Sequence, residues 1–447
     1  MTSRTRVVVI GGGMAAARLA GQLSAASDDM DVTVVGEEPH APYNRVLLAE
    51  VLAGRYAPEV IGLPEPSAAR WLRGVRAVRV DRDERLVRCD DGTSVPYDTL
   101  VLATGSNPVL PPLRGLFTDF PGSPGGPGRS GGPGVPGAAH ELPRGVHPFR
   151  TLSDCRALAG EARPGTRAVV VGGGLLGVSA ARALNGLGVH TVLAQQGEHL
   201  MERHLDARAS ALLREHLESL GVEVHTQCRV RGLETGPDAS GGRAVSAVVL
   251  ADGYRLAAEL TVLACGVRPR VGLARAAGLE VRKGVVVDDE LRTGDPRVHA
   301  IGDCAEHDGV VYGLAGAAQE QADALARVLL AAAPRTAPSA APPYTGTRAL
   351  TRLTLAPAAT AAGTAAGRPL DLAAFGETEP RPEDDVVHLA DATRSVYRKV
   401  VVRGDRLVGG ILLGDLGTVG ALARTWEGDE PLPSAPLLHL LTNDGGI

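Results

Sequence analysis

The chain has 447 residues, of which 44% are apolar and 22% charged, a composition typical of ordinary globular proteins. Its length is sufficient for about three domains. The net charge of −5 gives no reason to expect nucleic acid or an anionic membrane as a partner. No uninterrupted apolar run reaches the length of about eighteen residues that a membrane span needs, and no basic-then-apolar leader is present, so we expect a cytoplasmic protein.

The first predicted unit is a strand, a glycine turn and a helix over residues 6–23. Gly11 allows the turn, and Gly13 has no side chain, so a pyrophosphate can approach the backbone there. Ala16 is small enough for the helix to lie close to the strand. The free N–H groups at the start of the helix would then face phosphates, although a glycine turn alone can also be merely structural.

Two further patterns favour nucleotide binding over a structural turn. The next strand, 32–35, is followed by Glu37, a carboxylate that can accept hydrogen bonds from the ribose hydroxyls of an adenosine. The whole arrangement then occurs a second time over residues 168–184, with its three glycines in full G-x-G-x-x-G register: Gly172, Gly174 and Gly177. The repeat predicts two bound dinucleotides, the second held by the backbone N–H groups near Leu175 and Leu176.

The rest of the chain shows a predicted order of strands, helices and linkers. Strands are predicted at 75–80, 86–89, 97–103, 285–287 and 298–301, and helices at 46–54 and 317–330. Residues 119–145 are dominated by Gly and Pro and are expected to form a flexible loop, because they cannot bury enough apolar surface. An Ala/Pro linker covers 331–343. Alternating apolar and polar residues at 395–402 and 407–413, with a turn at 404–405, predict a small α+β domain.

The five cysteines lie far apart in the sequence: Cys89, Cys155, Cys228, Cys265 and Cys304. They form no C-x-x-C pair and no cluster of the kind that binds metals. This spacing argues against a redox-active disulfide between adjacent cysteines and against an ordinary iron–sulfur site within this chain. We expect reduced structural thiols and no metal site.

Six motifs in order point to a family. They are GGGMAA at Gly11, LATGSNP at Leu102, FRTL at Phe149, GGGLLG at Gly172, ACGVRP at Ala264 and AIGDCAEH at Ala300. The set resembles the two-dinucleotide-binding FAD/NAD(P)H oxidoreductases from Arg6 to about Leu413. Within that superfamily, the stretches that begin at Pro42, Leu200 and Val396 resemble the FAD-binding portion of the large subunit of NAD(P)H-dependent assimilatory nitrite reductases. Rubredoxin and ferredoxin reductases are near relatives.

The resemblance implies an α/β fold with two Rossmann-like dinucleotide-binding domains and a small C-terminal α+β domain. The expected boundaries are an FAD-binding domain at 1–118 and 271–332, a flexible Gly/Pro-rich loop at 119–145, an NAD(P)H-binding domain at 146–270 and the C-terminal domain at 344–447.

The resemblance also implies the cofactor contacts. FAD is expected at Gly11, Gly13, Ala16, Glu37, Arg45, Thr104, Gly105, Arg150, Asp303, Leu314 and Ala315. NAD(P)H is expected at Gly172, Gly174, Leu175, Leu176, Gly177 and Gln195. Gly266 is also expected to bind a cofactor. Asp303 matches an acidic residue that hydrogen-bonds the ribityl chain, and the helix that starts near Leu314 would present its N-terminus to the flavin. No catalytic side chain and no metal ligand are predicted.

Two departures from the family pattern concern the electron donor. Ser179 and Gln195 stand where relatives often carry Glu. A neutral amide can bond a ribose hydroxyl but does not repel a 2′-phosphate, and Arg203 is not far along the chain. We therefore expect reduction by NADH with weak discrimination against NADPH. The resemblance also bears on the reaction: no redox cysteine pair stands near Tyr43, where disulfide reductases of this superfamily keep one, which argues against disulfide reductase and cysteine-based peroxidase activity.

The predicted function is transfer of electrons from NAD(P)H through FAD to a partner redox protein. The acceptors considered are a nitrite or nitrate reductase subunit of nitrate assimilation, a rubredoxin, a ferredoxin or another iron–sulfur protein. The sequence stops at Ile447, before the iron–sulfur and sirohaem domains of the nitrite reductase large subunit, and has no cysteines to ligate those groups. One alternative is a flavoprotein that reduces a small molecule, such as oxygen or a quinone, directly. Another is a flavin-binding protein without efficient NAD(P)H use. The oligomeric state is open, with a homodimer among the options.

Overall fold

A computed structural model describes residues 4–27, 29–117, 142–238, 241–332, 342–348, 350–357, 368–391, 393–432 and 437–441. The chain forms two compact units. The first unit contains Met1–Asn107, Val267–Leu353 and Asp371–Ile447, and the second contains Pro108–Gly266 and Thr354–Leu370. The first unit is therefore built from three separate segments of sequence.

The described residues form α-helices and short 3₁₀ segments. The α-helices are α1 (Met14–Ala26), α2 (Leu48–Leu52), α3 (Leu152–Glu161), α4 (Leu175–Gly186), α5 (Ala207–Ser219), α6 (Gly272–Ala276), α7 (Ala315–Ala331) and α8 (Val419–Gly428). The 3₁₀ segments are Arg45–Leu47, Gly302–Cys304 and Leu437–Leu440.

The strands are numbered in chain order. Those up to residue 148 are β1 (Thr5–Ile10), β2 (Met30–Gly36), β3 (Arg70–Arg73), β4 (Ala77–Asp81), β5 (Leu86–Cys89), β6 (Ser94–Pro96), β7 (Thr99–Leu102), β8 (Ser106–Pro108) and β9 (Val146–Pro148). Those up to residue 269 are β10 (Arg167–Val171), β11 (His190–Ala194), β12 (Glu223–His225), β13 (Val230–Pro237), β14 (Arg243–Leu250), β15 (Arg255–Ala257), β16 (Leu260–Leu263) and β17 (Val267–Pro269). The remainder are β18 (Val285–Val287), β19 (Val298–Ala300), β20 (Ala305–His307), β21 (Thr351–Leu355), β22 (Leu370–Gly376), β23 (Asp385–Asp391), β24 (Val396–Arg403) and β25 (Arg406–Leu413).

The first unit is organised around a parallel five-stranded sheet in the order β19-β7-β1-β2-β3. Its central strand, β1, is buried from Val7 to Ile10, as expected for a parallel strand covered on both faces. Helices α1 and α7 are joined by an ion pair in which Arg18 donates two hydrogen bonds to Asp323, at 2.6 and 2.8 Å. Because all the strands are parallel, the turns that follow them gather at one edge of the sheet.

The second unit repeats this plan. Its parallel sheet has the order β12-β11-β10-β16-β9, and β10 at its centre is flanked by β11 and β16. Helix α4 follows β10 as α1 follows β1. Each unit also carries a small antiparallel sheet, β4-β5-β6 in the first and β13-β14-β15 in the second. The predicted repeat of a strand–turn–helix unit is confirmed.

The C-terminal part of the chain forms a sheet in the order β21-β22-β25-β24-β23, covered by α8. Phe375 on β22 packs against Trp426 on α8, with ring centroids 5.2 Å apart. The predicted hairpin between β24 and β25 is present, and Gly404 in its turn has a φ of +62°. Strands followed by a covering helix match the expected α+β character.

The predicted elements occur with small shifts at their ends. The strand predicted at 97–103 is β7, and the helix predicted at 317–330 is α7. Most of the predicted loop 119–145 and of the linker 331–343 lies outside the described residues. The last four residues of that loop are packed, because the backbone N–H of Arg144 donates to the Arg243 carbonyl at 2.7 Å and Gly145 is buried. The predicted domain boundaries stay a prediction.

Candidate functional site

The turn between β1 and α1 is shaped by two glycines with different surroundings. Gly11 has a φ of +120°, and a Cβ at this position would collide with the carbonyl oxygen of Ala103. Gly13, the N-cap of α1, faces open space, since a Cβ there would meet no atom within 4 Å. No side chain caps α1 and no acidic residue stands in its first turn. The N–H groups at the start of α1, which no side chain caps, face open space and fit a phosphate group. The buried Ala16 allows α1 to pack closely against the strand, which orients these N–H groups.

Glu37 follows β2 directly, at the same edge of the sheet. Its half-exposed carboxylate forms an ion pair with Arg270, whose Nε donates to the side chain of Asn107 at 2.7 Å. Arg270 thus holds the Glu37 carboxylate in place at this edge of the sheet. The role of Glu37 in ribose binding stays a prediction.

The neighbouring Glu38 orients Arg45. Tyr43 donates its hydroxyl hydrogen to one oxygen of Glu38 at 2.6 Å, and the Arg45 guanidinium pairs with the other oxygen. That guanidinium also lies over the Tyr43 ring, 5.1 Å from its centroid. The Arg45 charge is therefore fixed by Glu38 and Tyr43, for which the sequence predicted no such contact.

Thr104 and Gly105 follow β7, beside the turn of Gly11. The Thr104 hydroxyl donates to the Arg270 carbonyl at 2.7 Å, and the Arg270 N–H donates to the Gly105 carbonyl at 2.8 Å. Gly105 has a φ of +69°, and a Cβ there would enter open space. These two bonds hold together the places where the chain leaves and re-enters the first unit.

Asp303 lies in the 3₁₀ segment after β19. Ser106 donates its hydroxyl hydrogen to the Asp303 carboxylate at 2.8 Å. The preceding Gly302 has a φ of +75°, and a Cβ there would touch Ala15 on α1 at 3.4 Å and Ala318 on α7 at 3.8 Å. Asp303 is therefore placed beside the first turns of both helices.

Helix α7 begins at the same place. Leu314 is its N-cap and Ala315 its first residue, with no capping side chain and no acidic residue in the first turn. Its free N–H groups and the positive end of its dipole are suited to a group that gains negative charge. Except for Arg150, the residues predicted to hold FAD all belong to the first unit, and their chemistry fits that cofactor.

The second unit contains the matching turn between β10 and α4. A Cβ on Gly172, where φ is +110°, would press against the Ala264 carbonyl, and one on Gly177 would collide with the Gly172 carbonyl. Gly174, the uncapped N-cap of α4, faces open space as Gly13 does. The N–H groups of the first residues of α4, Leu175 and Leu176, therefore lie behind an open surface. This arrangement fits a second dinucleotide.

The remaining predicted residues of the second unit surround this turn. Gly266, with a φ of +93°, comes shortly after β16, and a Cβ there would meet no atom within 4 Å. Gln195 follows β11, and its side-chain oxygen accepts a hydrogen bond from the Gly173 N–H at 2.8 Å. Ser179 donates to the Leu175 carbonyl at 2.8 Å, so its hydroxyl is turned back onto its own helix.

Arg150 precedes α3 in the second unit. Its backbone N–H donates to the Asp154 carboxylate at 3.0 Å, beside the capping box that Thr151 and Asp154 form at the start of α3. The backbone at Arg150 is thus fixed by the helix that follows it. Arg150 belongs to a different unit from the other residues predicted for FAD.

None of the five cysteines forms a disulfide. Burial raises the pKa of Cys155 and of Cys265 to about 11, so both stay protonated and poorly nucleophilic near neutral pH. Across the described residues, no group of three or more His, Cys, Asp or Glu side chains is arranged to hold a metal. In that same part of the chain, no helix has the length and apolar character needed to cross a membrane.

Comparison with known proteins gives two family matches. Residues 5–322 match the pyridine nucleotide-disulphide oxidoreductase family, and residues 368–425 match the rubredoxin NAD+ reductase C-terminal domain. The first match spans both glycine turns, and the second spans most of the C-terminal sheet and α8.

Similar proteins include two from Bacillus subtilis (strain 168). The chain is 31% identical to a nitrite reductase [NAD(P)H], over 92% of this chain and 46% of that protein. It is 30% identical to an assimilatory nitrate reductase electron transfer subunit, over 92% of this chain and 48% of that protein. The chain spans about half the length of these curated relatives. The fold is similar to that in a crystal structure of the covalent putidaredoxin reductase–putidaredoxin complex, with a TM-score of 0.78 and 24% identity over 98% of this chain and 99% of that one.

Proposed function

Since the chain belongs to the pyridine nucleotide-disulphide oxidoreductase family, we propose that it passes electrons from NAD(P)H through FAD to a separate redox protein. The chain is an FAD-dependent NAD(P)H oxidoreductase. The observation that carries the proposal is the pair of glycine turns, one in each unit, each with an uncapped helix N-terminus facing open space.

FAD is assigned to the first unit. Gly13 leaves room for the pyrophosphate at the start of α1, and Glu37 stands where the adenosine ribose would be held. Asp303, whose carboxylate accepts a hydrogen bond from Ser106, follows the outer strand β19 at the same edge of the sheet and lies beside the start of α7. When bound, FAD supplies the redox chemistry, accepting a hydride and releasing electrons singly or in pairs.

NAD(P)H is assigned to the second unit. The first N–H groups of α4 bind its pyrophosphate, and Gly174 gives the access that this contact needs. Ser179 contributes no charge near the nicotinamide, because a hydroxyl is neutral, and its hydrogen is donated to the Leu175 carbonyl within α4. The role of this chain is thus to hold the donor by its phosphates, while the reactivity resides in the two dinucleotides.

The acceptor is proposed to be a nitrite or nitrate reductase subunit, with a rubredoxin or a ferredoxin as the other acceptors of this kind. The names of the two Bacillus subtilis relatives support the first choice. Desolvation raises the pKa of all five thiols, which argues against an acceptor that reacts at a cysteine. A cytoplasmic location is part of the proposal, since five cysteines that form no disulfide suit a reducing compartment.

The test begins with the purified protein and its released cofactor. We expect one FAD per chain, and rapid mixing with NADH or NADPH should bleach its visible absorbance. The reduced protein is then mixed with oxidised acceptors: a rubredoxin, a ferredoxin, a nitrite reductase subunit, a quinone and oxygen alone. Fast reoxidation by a protein acceptor and slow reoxidation by oxygen or quinone supports the proposal. Fast reoxidation by oxygen or quinone alone contradicts it, and a protein that no nucleotide bleaches has no electron donor of this class.

A further inference from the structure

The end of β11 lacks the carboxylate that would be expected to hold the adenosine ribose of NADH. Gln195 stands there, and both ends of its amide are already engaged. Its oxygen accepts from the Gly173 N–H at 2.8 Å, and its nitrogen donates to the His199 carbonyl at 3.3 Å. Gln195 therefore stabilises the glycine turn and the loop after β11, and it carries no charge that would discriminate between ribose and ribose 2′-phosphate.

A different part of the same loop is anchored on the glycine turn. The Met201 N–H donates to the Gly173 carbonyl at 2.9 Å, and Leu200 and Met201 are both buried. A Cβ on Gly173 would press against the Leu200 side chain, so the two segments are in close contact. The backbone position of the next residue, Glu202, is thereby fixed relative to the dinucleotide turn.

The Glu202 carboxylate folds back over Gly197. A Cβ on Gly197 would collide with one carboxylate oxygen of Glu202 and would lie 2.9 Å from the Gln195 side-chain nitrogen. The backbone beneath is held in place, because the Gly197 carbonyl accepts from the Gln227 N–H at 2.9 Å. The Glu202 carboxylate therefore lies beside Gln195, at the end of β11, on an otherwise exposed residue.

We propose that Glu202 determines nucleotide specificity by placing the missing carboxylate at the ribose end of the donor site. It accepts hydrogen bonds from the ribose hydroxyls of NADH and repels the 2′-phosphate of NADPH. The inference rests on the proposed use of NAD(P)H by the second unit and adds the preference for NADH. It replaces the expectation of weak discrimination that follows from Gln195 alone.

The test measures binding directly, by calorimetric titration of the oxidised FAD-loaded protein with NAD+ and with NADP+. We expect the wild type to bind NAD+ at least about tenfold more tightly than NADP+, and Glu202→Gln to reduce that ratio about tenfold. Because the discrimination is electrostatic, the wild-type ratio should be larger at about 0.01 M than at about 0.15 M ionic strength. The ratio for Glu202→Gln should change less with salt.

Glu215→Gln is the matched control, because it removes the same charge from an exposed position on α5. It should leave the ratio unchanged, and melting temperatures should confirm that both variants are folded. The inference is overturned if the wild type prefers NADP+ and Arg203→Gln loses that preference. It is also overturned if the ratio of NAD+ to NADP+ affinity is unchanged in Glu202→Gln. If neither NAD+ nor NADP+ binds, the proposed use of NAD(P)H is itself contradicted. If both bind with a ratio that Glu202→Gln does not change, only the role of Glu202 is contradicted.

Discussion

The backbone N–H of Gly302 donates a hydrogen bond of 2.7 Å to the side-chain oxygen of Gln321, across the start of α7. Gln321 is almost fully buried, and its nitrogen donates to the Tyr344 hydroxyl at 3.3 Å. Burial raises the pKa of Tyr344 to about 12, so the hydroxyl stays protonated and pairs with Thr347 at 2.6 Å. One amide thus joins the turn that precedes Asp303 to the segment 342–348.

Replacing this amide should loosen the Asp303 turn. Gln321→Leu leaves the half-buried Gly302 N–H without its side-chain acceptor, at a cost of about 1–3 kcal/mol in the free energy of unfolding. We expect a lower melting temperature and faster loss of FAD on dilution, followed by the flavin fluorescence. Tyr344→Phe is the control, because it keeps the Gly302 bond and removes only the hydroxyl. If Tyr344→Phe releases FAD as fast as Gln321→Leu, the Gly302 contact is not what holds the turn.

The duplicated glycine turn allows two functions to be separated with equivalent substitutions. A Cβ at Gly13 or at Gly174 enters open space, and both residues have extended backbones that alanine adopts readily. Gly13→Ala should therefore keep the fold but weaken FAD binding about tenfold or more, by blocking the pyrophosphate. Gly174→Ala should retain FAD and bind NAD(P)H more weakly. Flavin content and nucleotide titrations measure the two effects, and the same loss in both variants would argue against separate sites.

Gly11 provides the contrast to Gly13. Its positive φ and the collision of a Cβ with the Ala103 carbonyl mean that Gly11→Ala strains the fold itself. We expect a destabilisation of about 2 kcal/mol or more by chemical denaturation, present also in the protein stripped of flavin. Stability equal to that of Gly13→Ala in the flavin-free state would contradict this distinction.

Gln195→Glu tests whether Gln195 only stabilises the loop after β11 or also lies near the ribose of the bound nucleotide. One carboxylate oxygen can still accept from the Gly173 N–H, but the bond that the Gln195 nitrogen donates to His199 is lost. A second negative charge beside Glu202 should weaken NADP+ binding further, by about tenfold, and shift the preference toward NADH. Flavin bleaching rates at several concentrations of each nucleotide measure the shift. Tighter binding of NADP+ in this variant would contradict the assigned position of the ribose.

The turns could be predicted from sequence because their requirements are local. Gly11 and Gly172 must adopt a positive φ, and apolar β-branched runs precede both, so a short window contains the whole signal. The partners that hold the site could not be predicted in this way. Ser106 lies 197 residues from Asp303, and Gln321 lies 19 residues from Gly302, and no periodic pattern connects either pair.

The same limit explains the Glu202 contact. The sequence shows Gln195 at the expected position, but the carboxylate beside it belongs to Glu202, later in the same loop. The backbone next to Glu202 is fixed because the Met201 N–H donates to the Gly173 carbonyl. The first unit is assembled from three separate segments of sequence through long-range strand pairing, such as that of β19 with β7. Local sequence patterns do not predict such pairing.

The pH dependence of stability should carry a contribution from His299, a buried residue of β19. Burial, and secondarily the charge of Arg292, lowers the pKa of His299 to about 4. The pKa of histidine in the unfolded chain is about 6.5. At pH values between this pKa and that of the folded state, the unfolded chain binds a proton that the folded chain does not, so the free energy of unfolding falls as the pH falls. Relative to His299→Gln, the wild type should lose about 3 kcal/mol between pH 7 and pH 4 in urea unfolding and change little below that. The exposed His190→Gln should follow the wild-type curve, and a His299→Gln curve parallel to that of the wild type would show that His299 does not titrate in this way.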